Sequence, residues 1–121
     1  MKIQDIVQQL SQQHGFTAVV LTDASGFPLA SSLGGGSAEA PAAMAALIQR
    51  VAEQARSHVG LGAMDEVTMN DEAGQRLVCR WFSAGSHKLI LAIKVPPQMS
   101  YRRATNQAVK QIKEAWAFGR K

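Results

Sequence analysis

GFTAVVLTDASGFPLAS, residues 15–31, contains a run, a turn and a return. From Phe16 to Thr22 the chain is apolar and β-branched without alternation, as in Ala18-Val19-Val20-Leu21, the pattern of a strand covered on both faces. Asp23-Ala24-Ser25-Gly26 supplies a short hairpin turn, with Gly available for a positive φ, and Pro28 to Ser32 returns as a second strand. Pro cannot donate to a ladder, so the second strand belongs at an edge or begins at the Pro.

Ahead of this hairpin, Ile3, Ile6, Val7 and Leu10 recur at helical spacing and stop at His14-Gly15, which predicts an amphipathic first helix. Behind it, three consecutive glycines place a loop over Leu33 to Ala40. Ser37-Ala38-Glu39-Ala40-Pro41 opens a long second helix that runs to about Val59 and ends at Gly60-Leu61-Gly62. Three strands are expected next, Glu66 to Asn70, Gln75 to Ser83 and Lys88 to Val95, separated by Asp71–Gly74 and Ala84–His87. After Pro96-Pro97, the residues Tyr101, Thr105, Ala108, Ile112, Ala115 and Trp116 trace the apolar stripe of a terminal helix. The order is αββαβββα. The first and fifth strands are the continuously apolar ones, so they belong at the centre, giving a mainly antiparallel five-stranded α/β sheet of order 2-1-5-4-3 with helices on both faces.

The 121 residues, 46% apolar and 18% charged, fit one domain over 1–121 with a core large enough to need no staple. Cys79 is alone, no Cys/His spacing suits zinc, and the start of the chain has no signal-peptide pattern, so the expected compartment is the cytoplasm. The longest apolar run, Leu89 to Ile93, is far below the ~20 residues of a membrane span, which excludes stable insertion. Net charge is +4, with Arg102, Arg103, Lys110, Lys113, Arg120 and Lys121 near the end against Glu114. No recognition-helix motif or aromatic-interleaved strand accompanies them, so a solvated helix face is expected rather than a nucleic-acid site.

The second helix is apolar on two sides. At 100° per residue, Met44, Leu47, Ile48, Val51, Ala55 and Val59 form the stripe expected to pack on the sheet. The opposite side collects Ala42, Ala45, Ala46, Gln49, Ala52, Glu53 and Arg56, small residues that suit close approach of a second copy about a two-fold axis. The plain alternative is that alanine is a good helix former on a wet surface. Val67, Thr68 and Met69 lie on an edge strand carrying neither Pro nor Lys, so this edge is expected to pair as well. Asp65, Glu66, Asp71 and Glu72 read as a solvated acidic rim and lack the alternating spacing of a hard-cation loop.

No chemistry emerges from the remaining motifs. Gly34-Gly35-Gly36-Ser37 lacks the Gly-Lys-Ser/Thr ending of a phosphate loop. His14, His58 and His87 form no His-Glu-x-x-His pattern, Ser25, Ser31 and Ser32 have no nucleophile-elbow context, and Cys79 reads as a small buried residue between Leu77 and Trp81. Trp81, Phe82 and Trp116 read as large core or interface residues, core being the favoured place. With no catalytic residue, metal set or cofactor site, the chain reads as a binding module and not an enzyme.

The 15–31 hairpin, the Ala-rich second helix closing on Gly60-Leu61-Gly62 and the late strand Lys88-Leu89-Ile90-Leu91-Ala92-Ile93 together resemble the Roadblock (dynein light chain) domain, of the longin-like sandwich type. The resemblance runs from about Asp5 to Trp116. It implies a homo- or heterodimer through the second helix and third strand. It also implies a non-catalytic regulator of a Ras-like small GTPase, in bacterial members able to activate hydrolysis without donating an arginine finger. The GTPase would rest on the paired second helices, with Arg50, Glu53, Gln54, Arg56 and Ser57 as candidate contacts. A dimeric scaffold without effect on hydrolysis, or a small-molecule sensor, are the competing readings.

Overall fold

The computed structural model describes residues 2–119. Its elements are α1 (Ile3–His14), β1 (Ala18–Asp23), β2 (Pro28–Ser31), α2 (Glu39–Val59), β3 (Glu66–Asn70), β4 (Arg76–Ala84), β5 (His87–Val95) and α3 (Arg102–Gly119), with one 3-10 turn at Gly35–Ala38 inside the expected glycine loop. Every pairing is antiparallel and the order is β2-β1-β5-β4-β3, as the apolar content of the central strands predicts.

Two of the three hairpins are closed by the same device. Asp23 Oδ1 accepts from the amides of Ser25 and Phe27, and Asp71 Oδ1 from those of Ala73 and Gln75. The glycine of each turn, Gly26 and Gly74, sits at φ near +89° and +86°, where a side chain would be strained. Thr22, wholly buried, turns its hydroxyl onto the Phe27 carbonyl at 2.9 Å beside the irregularity between Leu21 and Thr22.

The sheet separates two layers. On one side α1 and α3 cover Val19, Leu21, Val78, Leu89, Leu91 and Ile93 with Ile6, Val7, Leu10, Ala108 and Ile112. On the other lies α2 alone, and its orientation reverses the expected one. Ala42, Ala45, Ala46 and Ala52 are only 0%, 1%, 1% and 6% exposed, the first three packed toward Val20, Cys79, Ile90 and Ala92. Met44, Leu47, Val51 and Val59 point outward. The cause is close approach: strand and helix both present small side chains, and at Gly26 even an added Cβ would stand 3.2 Å from Ala43 Cα. The alanines assigned above to a second copy are therefore taken up by the chain's own sheet.

Glu66 also departs from the acidic-rim reading. Its carboxylate is half-buried, accepting from Tyr101 Oη at 2.6 Å and Arg102 Nη1 at 2.6 Å, with Arg80 Nε at 3.6 Å. Arg80 in turn donates to Thr105 Oγ1 at 2.9 Å and Asn106 Oδ1 at 2.6 Å. This polar cluster fixes the edge strand β3 to the start of α3. Asp65 and Glu72 are exposed, as expected for a rim. Among the described residues no group of three or more His, Cys, Asp or Glu is placed to hold a metal ion.

Candidate functional site

The residues that stand out are large, apolar and exposed. Met44, Leu47 and Val51 are 49%, 44% and 54% exposed, with Ile48 half-buried between them. At 100° per residue they occupy the outward side of α2, and Ile48 carries the stripe round toward β3. Cross-strand register continues the patch: Val67 pairs with Cys79 and Met69 with Leu77, so both β3 side chains share the α2 side of the sheet. Met69 is exposed and Val67 half-buried, whereas Thr68, opposite Val78, turns to the α3 side near Tyr101 Oη.

The two edges of the sheet are treated differently. At β2 the Gln4 side-chain amide donates to Ser31 O at 2.7 Å and accepts from Ser31 N at 3.1 Å, standing in for one residue of a neighbouring strand. At β3, among the described residues, no side chain covers the outer backbone of Glu66–Asn70 in this way. An uncovered edge thus lies beside an exposed apolar helix flank, the kind of surface on which strands and apolar patches find partners.

The polar candidates divide. Arg50, Gln54 and Ser57 are exposed on the flank of α2 that faces away from β3, with Ser57 Oγ donating to Gln54 O. Gln49, Glu53 and Arg56 turn instead toward the sheet and line a cleft of about 290 Å³ with Met64, Asp65, Trp81 and Lys88. There Glu53 and Arg56 lie 3.7 Å apart within one helix, so their nearest opposite charge is each other's. The Trp81 indole, half-buried, donates to Met64 O at 2.5 Å and holds the α2–β3 loop over this cleft. Sequence reasoning missed the outward use of Met44, Leu47 and Val51. The available signal was that both sides of α2 are apolar while only one can face the sheet.

The three histidines stand apart from one another. His14 ends α1, His58 bonds Gln54 O on α2, and His87 opens β5 against the Trp116 ring. Cys79 is buried against α2 and burial pushes its thiol up to about 11, the opposite of an activated nucleophile. A cavity of about 320 Å³ beside Met44, floored by Val20, Leu77, Cys79 and Ala92, is almost wholly apolar.

Comparison with known proteins agrees with this architecture. Residues 2–92 match the Roadblock/LC7 domain. Among solved structures, the Roadblock/LC7 domain from Streptomyces avermitilis is 19% identical and superposes with a TM-score of 0.78 over 100% of both chains. Myxococcus xanthus MglB is 16% identical, with a TM-score of 0.76 over 95% of this chain and 94% of its own. The gliding protein MglB from Thermus thermophilus is 18% identical, with a TM-score of 0.68 over 95% of this chain and 85% of its own. No curated protein sequence matches the chain.

Proposed function

The chain belongs to the Roadblock/LC7 domain family, and from that membership we propose that it is a homodimeric, non-catalytic regulator of a Ras-like small GTPase. The observation that carries the reading is the apolar side of α2, Met44, Leu47 and Val51, lying next to an uncovered β3 edge. A two-fold axis beside that edge joins β3 to its copy, extends the sheet and sets the two α2 helices antiparallel against each other. The dimer face is thus Met44, Leu47, Ile48, Val51, Val67 and Met69, in place of the alanines. Burying each half-exposed apolar side chain contributes about 1 kcal/mol, enough in sum for a stable pair.

The paired helices then offer a broad platform rimmed by Arg50, Gln54 and Ser57, which are the contacts we assign to the GTPase. The similarity to MglB proteins, one of them described as a gliding protein, supports a regulatory role in a bacterial setting. With no acid/base pair on the platform, any effect on hydrolysis acts by selecting one conformation of the GTPase, which supplies the catalytic groups itself.

Light scattering of the protein mixed with a GTPase loaded with GDP or with a non-hydrolysable GTP analogue tests binding, and a single-turnover hydrolysis assay separates the two roles. Complex formation with faster hydrolysis supports an activator. Complex formation with unchanged hydrolysis supports a scaffold. No complex in either nucleotide state contradicts both.

A further inference from the structure

We propose that the apolar cavity beside Met44 is a binding site for a single aliphatic carboxylate of about ten carbons, with Lys94 as its counter-ion. Two rungs of the sheet make the floor. Val20, Ala92 and Cys79 pair across β1, β5 and β4, and all three are buried. They are the short side chains that let α2 approach through Ala42, Ala45 and Ala46. One rung further out, Ala18, Lys94 and Leu77 pair across the same strands and share that side of the sheet. Pro41 and Met44, near the start of α2, wall the space without filling it. With alanine at 18 and 92 and cysteine at 79, no side chain rises from the floor, and a cavity of about 320 Å³ is left within one protomer.

Three properties of the cavity choose the ligand. Its lining is apolar except for Lys94, the one charged residue that lines it among those described, which selects an aliphatic body with an anionic end. Lys94 is exposed, and among the described residues its ammonium forms no ion pair. Its carbonyl accepts from Thr17 N at 3.0 Å and Thr17 Oγ1 at 3.3 Å, so the base of the side chain is fixed on a central strand. A lone ammonium matches a monoanion, which favours a carboxylate over a phosphate. Arg76 adds no charge here, since its guanidinium lies over the Tyr101 ring on the α3 side. The third property is size: at roughly 30 Å³ per methylene-sized group the cavity holds about ten carbons.

The larger cavity between α1 and α3, about 860 Å³, is less suited to the same ligand. There Asp5 and Glu114 accompany Lys2, so two carboxylates face any anionic end. Met44 also belongs to the dimer face proposed above, which makes a side chain of a second copy the competing occupant. The ligand site itself is complete in one protomer and does not depend on that dimer.

The test is calorimetric titration of the full chain with decanoate below its micelle threshold, with 1-decanol and hexanoate as controls for head group and length. Affinity should rise about fourfold per methylene from hexanoate to decanoate and level off beyond it. K94Q should weaken decanoate about fivefold, leave decanol unchanged and keep the melting temperature. A18F, which fills the outer rung, should abolish binding of both; K94Q carries the test alone if A18F does not fold. Methyl NMR locates the ligand, with shifts expected at Met44 and Leu77. No saturable binding of decanoate, an affinity indifferent to K94Q, or shifts confined to Ile3 in the α1/α3 cavity overturns the proposal. So does decanoate binding by a Val51→Glu monomer that the wild-type dimer lacks, because a second copy then fills the space. A wild-type monomer that binds decanoate contradicts the paired helices and leaves this site standing.

Discussion

The side-chain amide of Gln4 and the backbone of Ser31 exchange two hydrogen bonds, at 2.7 and 3.1 Å, so the first helix closes one edge of the sheet. The other edge, β3, has no such cover among the described residues and lies beside the apolar flank of α2. The asymmetry leaves β3 as the edge that the proposed dimer uses and closes the competing one.

Replacing Gln4 by Ala should uncover the β2 edge. Two solvent-exposed hydrogen bonds contribute about 1 kcal/mol, so the melting temperature should fall by roughly 3–6 °C with the assembly state kept at low concentration. Thermal melts by circular dichroism, with turbidity on heating, check this; an unchanged melt and no added turbidity would show that the amide protects nothing.

Ala46 to Arg should prevent folding instead of separating two copies. Ala46 is 1% exposed against Cys79, Ile90 and Ala92, where a guanidinium has neither room nor partner and costs more than about 3 kcal/mol. A folded, monomeric variant in circular dichroism and light scattering would return the alanines to the interface.

Glu66 to Gln removes the charge facing Arg80, whose side chain is 11% exposed, and leaves Asp65 at 4.0 Å as its remaining carboxylate. Losing one partner of a largely buried pair should cost about 2–3 kcal/mol, read from urea midpoints at constant slope. A midpoint shift within error would mean that Tyr101 and Arg102 hold β3 without the charge on Glu66.

Cys79, raised to about 11 by burial, should be inert to thiol reagents in the native state. At pH 8 only roughly one thiol in a thousand is ionised, and α2 covers it, so labelling should follow unfolding. Rapid stoichiometric labelling of folded protein would show that α2 lifts readily from the sheet.

On the proposed reading, in which the GTPase supplies the catalytic groups, Arg50 to Ala should weaken association with that GTPase by about tenfold while leaving hydrolysis in the saturated complex unchanged. A drop in saturated turnover, with affinity retained, would assign Arg50 a direct role in the transition state.

Much of the fold was legible because its signals are local. The Asp-x-x-Gly turns at Asp23 and Asp71, the unbroken apolar strands and the Gly60 stop each report within a few residues. The orientation of α2 was not legible, because periodicity identifies an apolar side without saying what covers it. Met44 and Leu47 outweigh Ala45 and Ala46 in hydrophobicity, yet the short sheet-side residues Val20, Cys79 and Ala92 favour close packing by the alanines. Nor could sequence spacing bring Gln4 to Ser31, or Tyr101 and Arg102 to Glu66, since those contacts exist only once the layers have docked.

The central claim is that two copies pair through the outward side of α2, and multi-angle light scattering of wild type beside Val51→Glu tests it most directly. Val51 is 54% exposed, so the substitution leaves the protomer folded and places charge at the proposed contact. The predicted result is twice 13.0 kDa for wild type and 13.0 kDa for the variant, with matching circular dichroism. A wild-type monomer, or a variant that remains dimeric, would contradict it.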